Sequence, residues 1–192
     1  MSELLTIGKV WELSERRRHR RRRHPYDLVV LDGPATGEVL GLLGAPRTFA
    51  AIAHVGPVAQ EATTIDRMLS DSDKTSVVAV CTLEQIAVSE TLSLRAALAD
   101  ELGIAVRLVA VNRMISAGLS VEDRAALAAA GDDPAVRSAR WLDARGRAQH
   151  THLSRLRRGL AGVAITTLPF LFQEELDGGD VERLADLLEP SL

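Results

Sequence analysis

A chain of 192 residues, 46% of them hydrophobic and 26% charged, has the size and composition of one soluble globular domain. These figures exclude fibrous and disordered proteins, and the single cysteine excludes a disulfide framework. No apolar run reaches the roughly 18 to 20 residues that a membrane span needs, and the acidic start does not match a secretory leader. We therefore expect a cytoplasmic protein.

Positive charge is concentrated in one short stretch. The net charge of the chain is −3, and residues 16–24 carry seven arginines. The rest of the chain therefore has a net charge of about −10. Seven like charges in nine residues repel one another and favour a solvated loop or a frayed helix end. A basic patch for nucleic acid or anionic lipid is the alternative, although no aromatic residue is interleaved with the arginines to stack on bases. We expect no specific nucleic-acid partner.

The first part of the chain predicts a helix, a strand and a second helix in that order. Apolar residues near one face favour a short helix over Ser2 to Ser14. The run from Tyr26 to Leu31 ends in Asp-Gly-Pro, which is typical of a strand buried on both faces. A stripe of apolar residues at helical spacing predicts a helix over Thr48 to Leu69 that begins at Pro46.

The rest of the chain continues the alternation of buried strands and helices. The predicted strands are Ser76 to Cys81, Ala105 to Val111 and Gly162 to Thr167, and the predicted helices are Val88 to Leu102, Val121 to Ala130 and Pro134 to Leu160. Gly103 is the signal that ends the first of these helices. Such alternation is typical of right-handed crossover units. We predict an α/β fold with a mostly parallel sheet flanked by helices.

Polar and turn-forming residues follow the predicted strands, where ligands of an open parallel sheet bind. Asp32, directly after a buried run, could hold Mg²⁺ through water, and the amide of Gly37 could approach a phosphate. Asn112 could present both a donor and an acceptor to a purine. The alternatives are a turn or helix-cap role for Asp32 and a turn role for Asn112.

Four segments in the same order resemble the ArsA-type anion-transporting ATPases and their relatives that target tail-anchored membrane proteins. The string DLVVLDGPATGEVLGLL resembles the switch segment of that family. The strings VVAVCTLEQIAVSETLSLRAAL and RLVAVNRM resemble a strand with its helix and the adenine-recognising strand end. TTLPFLFQEELDGGDVERLADLL resembles the closing segment, in which a proline lines the base pocket before a terminal helix.

The resemblance implies a nucleotide triphosphatase with a three-layer α/β/α fold that uses ATP and Mg²⁺. It implies that Asp32 is the Walker B aspartate on the Mg²⁺ hydration shell and that Gly37 lies near the γ-phosphate. It likewise implies that Asn112 contacts adenine and that Pro169 forms a wall of the base pocket. The implied activity is ATP hydrolysis coupled to anion transport or membrane-protein targeting. The implied partners are a second copy or an ArsA-type ATPase, and a membrane-protein client.

The chain departs from the family pattern in several places. Pro34-Ala35 and Glu38 stand where the family shows Ala-Pro and a histidine, and no CxxC is present for a zinc-linked dimer. The sequence contains no G-x-x-x-x-G-K-[ST] phosphate loop, so it resembles the family from the helix before the switch segment onward. Relatives use helices after the switch for a hydrophobic client or, through cysteines, a metalloid. Here the apolar stripe favours core packing, and the single cysteine, Cys81, argues against a metalloid site.

These departures define the expectations for the chain as a whole. We expect one truncated ATPase-like domain over 1–192, with an N-terminal helix and arginine-rich loop at 1–24 and an α/β core at 25–192 that has a helical insertion at about 46–70. Without the phosphate loop we expect neither ATP hydrolysis nor tight ATP binding by this chain alone. Without the phosphate-loop strand, either a gap or a new pairing of 26–31 with 76–81 would leave free edges that invite association. The alternative function is a non-catalytic binding or regulatory partner of an intact ATPase.

Overall fold

The structure, a computed structural model, describes residues 2–15, 26–53, 55–115 and 118–192. The predicted α/β fold is confirmed: three parallel strands form a sheet in the order β1-β2-β3, flanked by helices. The chain divides into two compact units. The first comprises Met1–Val77 and Leu94–Ala105, and the second comprises Val78–Ser93 and Val106–Leu192. The arginine-rich block lies outside the described residues.

The first unit is built from helices. They are α1 (Ser2–Glu15), α2 (Thr36–Ala53), α3 (Pro57–Ser70) and the end of α4 (Gln85–Ala97), which continues as a π-helical turn over Leu98–Leu102. Arg47 joins these elements, because its Nε lies 3.1 Å from Asp66 Oδ1 and its Nη2 donates to the Leu102 carbonyl at 2.9 Å. That bond satisfies a carbonyl for which the end of a helix provides no backbone N–H donor. The core side chains are Ile7, Leu42, Leu43, Ala62, Ile65, Leu69, Leu98 and Leu102.

The second unit holds the sheet. Its strands are β1 (Val77–Thr82), β2 (Val106–Met114) and β3 (Ala164–Pro169), although Val77 itself belongs to the first unit. Its helices are the start of α4 and, after it, α5 (Val121–Ala129), α6 (Pro134–Gly159) and α7 (Gly178–Leu188). β2 is the central strand and is buried from Leu108 to Val111. α6 contributes Leu153 and Leu156 to this core. These strands and helices confirm the predicted elements, with ends that differ by a few residues.

The predicted strand over Tyr26–Leu31 is wrong. The structure gives this segment neither helix nor strand, and Leu28 and Val30 are 77% and 81% exposed. A strand needs backbone hydrogen bonds from a neighbour, and none of the three strands of the described sheet supplies them. Of the two alternatives, a gap or a new pairing, the pairing of 26–31 with the strand at 76–81 is not formed among the described residues.

The single helix predicted over Thr48–Leu69 is also wrong. Helix α2 begins at Thr36 and contains Pro46 in its interior, where the ring is buried. A second helix, α3, begins at Pro57 after Gly56, which has a φ of +110°. The glycine adopts a backbone conformation that other residues avoid, and the proline fits the first position of a helix, so these two residues separate the helices.

None of the helices within the described ranges combines the length and the apolar character that a bilayer span requires.

The end of the π-helical turn provides a test of the helix-stop signal. Gly103 has a φ of +70°, and a Cβ placed there would meet no atom within 4 Å, so Gly103→Ala tests the backbone alone. We expect this change to lower the free energy of unfolding by about 1 kcal/mol. The matched control is Gly41→Ala in the interior of α2, where a Cβ also meets nothing within 4 Å, and it should raise stability by roughly 0.5–1 kcal/mol. Urea unfolding measures both, and equal shifts in one direction would contradict the assignment.

Candidate functional site

Asn112 and Pro169 lie at the same end of neighbouring parallel strands. Val111 pairs with Thr167 and Met114 with Pro169, so two residues of β2, Asn112 and Arg113, face Leu168 alone on β3. Such an extra residue is a β-bulge. The Phe170 amide donates to the Met114 carbonyl at 2.8 Å and continues the pairing beyond the bulge. We name Asn112, Arg113, Pro169 and Phe170 the β2–β3 edge.

The bulge determines how the side chain of Asn112 is presented. Arg113 has a φ of +57°, which is uncommon for a residue with a side chain. Its amide donates to Asn112 Oδ1 at 2.8 Å. Within the part of the chain that the structure describes, no group accepts from Asn112 Nδ2, so this half-buried amide keeps two donors and one lone pair for a ligand.

Sequence reasoning missed Gln149, which binds the backbone of the bulge from α6. Its Oε1 accepts from the Ile115 amide at 2.8 Å, and its Nε2 donates to the Arg113 carbonyl at 2.9 Å. The side chain is 4% exposed. An isolated glutamine on a helix of mixed polarity carries no sequence signal for this role, which becomes visible only in the contacts.

Two aromatic rings follow Pro169 and were likewise not predicted as site residues. Phe170 and Phe172 are 39% and 67% exposed, and their ring centroids lie 4.8 Å apart in an edge-to-face arrangement. Exposed rings at the end of a strand offer faces on which a planar base can stack. The apolar surface at Pro169, predicted as a wall of the base pocket, therefore continues onto the rings of Phe170 and Phe172.

Other polar contacts of the second unit have structural roles. Asp143 is almost fully buried, and its carboxylate lies 3.0 Å from Arg147 Nε and accepts from the Leu119 amide at 3.3 Å, which fixes the segment before α5. Glu84, after β1, pairs with Arg145 at 2.9 Å on the exposed surface. Such exposed pairs contribute little to stability.

Asp32 and Gly37 belong to the first unit. Asp32 is exposed and precedes α2, and Gly37 lies in the first turn of that helix, where backbone amides have no acceptor within the helix. The amides of Glu38 and Val39 both donate to the Ala35 carbonyl, at 2.9 and 3.2 Å. A Cβ at Gly37 would meet no atom within 4 Å, so packing does not require glycine at this position.

An open cleft of about 610 Å³ lies beside the start of α2. Pro34, Gly37 and Glu38 line it together with the apolar side chains of Leu4, Phe49 and Ile52. Ile52 is 71% exposed and Phe49 is half-buried, so this end of the stripe that was expected to form core lies at the surface. The other end, on α3, is buried through Ala59, Ala62, Ile65 and Leu69.

The structure thus groups the predicted site residues by unit, with Asp32 and Gly37 in the first and Asn112 and Pro169 in the second. In residues 2–15, 26–53, 55–115 and 118–192, no three His, Cys, Asp or Glu side chains are placed to hold a metal ion together.

Cys81 is 2% exposed. Burial raises the pKa of its thiol, and a hydrogen bond with Thr91 opposes this in part.

Comparison with known proteins places the chain in a family. The family described as Anion-transporting ATPase matches residues 50–189. Over 125 residues the chain is 30% identical to "ATPase BagA" of Mycobacterium tuberculosis and, equally, to "Putative ATPase Mb3704" of Mycobacterium bovis. Each match covers 65% of this chain and 36% of the relative, so the chain spans just over a third of the length of these relatives.

The buried thiol makes a prediction about reactivity. Because burial raises the pKa of Cys81, the native chain should react with iodoacetamide at pH 8 far more slowly than the chain in urea. The protonated thiol is favoured in the folded state, so stability should be independent of pH below the pKa of the unfolded chain, about 8.5, and should fall as the pH rises from there to the raised pKa of the folded state. The control, Cys81→Ser with Ser154→Cys, moves the only thiol to an exposed position on α6 and should react rapidly. Rapid labelling of native Cys81 would contradict its placement.

Proposed function

Because this chain belongs to the anion-transporting ATPase family, we propose that it supplies the purine-binding edge and the switch segment of an ATPase that couples ATP hydrolysis to anion transport or membrane-protein targeting. The observation that carries the proposal is the juxtaposition of Asn112 with Pro169 and Phe170 at the β2–β3 edge. The relatives' names support the ATPase part. Transport or targeting is inferred from the family.

The β2–β3 edge has the chemistry that adenine requires. An asparagine amide can donate to N7 of adenine and accept from its N6 amino group, whereas guanine presents two acceptors at the same positions. Asn112 retains both functions after its bond to the Arg113 amide. Pro169 and Phe170 supply an apolar surface next to it, against which the purine ring can lie.

The residues fit the base of ATP better than its phosphates. Asp32 offers one exposed carboxylate, which suits contact with Mg²⁺ through water, and the first-turn amide of Gly37 suits a terminal phosphate. The charge of a triphosphate must also be neutralised by a phosphate loop and its lysine. Neither Lys9 nor Lys74 lies in a glycine-rich loop. In this family ATP is the substrate and Mg²⁺, when bound, offsets the charge of its phosphates. This chain contributes the groups named above.

A second candidate is a binding or regulatory partner of an intact ATPase, and the exposed apolar surface of the first unit favours it. Leu28 and Val30, in the segment before Asp32, are exposed, and the cleft beside α2 has an apolar lining. Surfaces of this kind are typical of interaction sites. We propose association with a second copy or with an ArsA-type ATPase, and a hydrophobic segment of a membrane protein as the client.

The first prediction of this proposal concerns turnover. The 192-residue chain should release no phosphate from Mg-ATP above the rate of a blank, because the charge of the triphosphate is not neutralised. Asp32→Ala should give the same result. A phosphate-release assay measures both, with a complete ATPase of the family as the positive control. Turnover by the chain that Asp32→Ala abolishes would contradict the proposed division of labour.

The second prediction concerns the base alone. Adenosine should bind with a dissociation constant in the millimolar range, about −4 kcal/mol, and should shift the amide resonances of residues 112–115 and 170. Asn112→Ala should weaken this binding about fivefold to tenfold, since it removes two hydrogen bonds. The control is Gln60→Ala, an exposed amide on α3. Adenosine binding that is the same in Asn112→Ala as in the native chain would remove Asn112 from the site.

A further inference from the structure

The buried amide of Gln149 closes a ring of hydrogen bonds across the β2 bulge. Ile115 requires an acceptor for its N–H, and the Arg113 carbonyl requires a donor. Only one orientation of the glutamine amide serves both, with Oε1 toward Ile115 and Nε2 toward Arg113. Because Gln149 is 4% exposed, water does not readily replace either bond.

These two bonds hold a backbone conformation that is unfavourable by itself. Arg113 has a left-handed backbone conformation, which is unfavourable for a residue with a side chain. The carbonyl that Gln149 binds belongs to Arg113 itself, and the amide that it binds belongs to the residue two positions later. Gln149 therefore spans the turn that follows the strained residue and opposes its return to a regular strand.

Helix α6 keeps Gln149 in place. One turn before it, the helix backbone at Gly146 packs beside Ile115, since a Cβ placed at this glycine would lie in ordinary van der Waals contact, 3.5 Å from Ile115 Cγ2. One turn after it, Leu153 is buried in the core. The amide thus projects from a rigid part of a 26-residue helix rather than from a loop.

We infer that Gln149 is a positioning residue for Asn112: it fixes the bulge in which the Arg113 amide holds Asn112 Oδ1, and so directs Nδ2 toward the ligand. The inference deepens the proposed function, because it assigns the adenine preference of the β2–β3 edge to a residue that does not touch the base. A relaxed bulge would free Asn112 Oδ1 to rotate. The side chain would then present its donor and acceptor in either order, and discrimination between adenine and guanine would fall.

The test uses two substitutions at position 149 in the full chain. Q149A removes both hydrogen bonds. Q149E keeps the volume and the acceptor for Ile115, but when ionised it cannot donate to the Arg113 carbonyl; when protonated, its O–H can. Burial should raise the pKa of the introduced carboxyl. Both hydrogen bonds should therefore form at low pH, and the bond to the Arg113 carbonyl should be lost as the pH rises. The control is T91V, which replaces another buried polar side chain, 4% exposed. Among the described residues its hydroxyl bonds to the Ala87 carbonyl within α4 and to the Cys81 thiol.

Three readouts separate positioning from general stability. In Q149A, exchange of the Ile115 amide with deuterium should accelerate about tenfold relative to the amides of Leu153 and Leu156, and the side-chain NH₂ resonances of Asn112 should move. The ratio of adenosine to guanosine affinity should fall about fivefold. Q149E should show the same changes at neutral pH and recover the native signals on acidification, with the native chain measured at both pH values. T91V should leave all three unchanged.

Two results would overturn the inference: Asn112 side-chain resonances that stay in place in Q149A, or the same movement in T91V. If Q149A does not fold, Q149E decides alone, because its two protonation states are compared in one protein. If the native chain binds no adenosine, the purine-binding proposal fails. In that case the Asn112 resonances and the Ile115 exchange still decide whether Gln149 positions the amide.

Discussion

The parallel pairing of β2 with β3 is the constraint on which the candidate site depends. Leu108, Val109 and Val111 are fully buried along β2, and burial of each such side chain contributes about 1.5–3 kcal/mol. The left-handed residue at the end of the strand costs roughly 1–2 kcal/mol, so the core easily retains the register that creates the bulge. The packing of the strand interior therefore determines where Asn112 stands, and local contacts determine which way it faces.

The described residues suit the base of a nucleotide better than its phosphates. The β2–β3 edge has a directed amide and an apolar wall, which together suit a planar base. The segment around Asp32 has an exposed carboxylate and helix-terminal amides but no lysine to offset the charge of three phosphates. Base contacts give selectivity, while neutralised phosphates give most of the affinity and all of the catalysis. We therefore propose weak recognition of adenine by this chain, with hydrolysis depending on further groups.

The exposed segment at 26–31 shows how a strand depends on its neighbour. Its sequence has the β-branched and aliphatic residues of a buried strand, yet Leu28 and Val30 stand in solvent. In the sheet of the described residues β1 is an edge strand, and Val80 on it is 69% exposed. Apolar side chains of this size gain free energy when another surface covers them. This gain is the physical basis for the association that we propose.

Sequence reasoning succeeded where a residue's role depends on its near neighbours in the chain. The apolar runs gave β1, β2 and β3, and the glycine at 103 marked the end of a helix, because burial pattern and backbone freedom are local properties. It failed at 26–31 because pairing requires a second strand, and at Pro46 because a helix can contain a proline whose cost is offset by burial of the ring.

The same distinction explains what could be predicted of the candidate site. Asn112 and Pro169 could be predicted as neighbours, since parallel strands end at a common edge whatever their exact register. The bulge depends on the register itself, and Gln149, which lies 34 residues further along the chain than Ile115, reaches it from helix α6. A glutamine at the right height on α6 looks like any other polar helical residue in the sequence. Its function follows only from the two backbone groups that the folded chain brings to it, so the residues that orient a site are harder to find than those that touch the ligand.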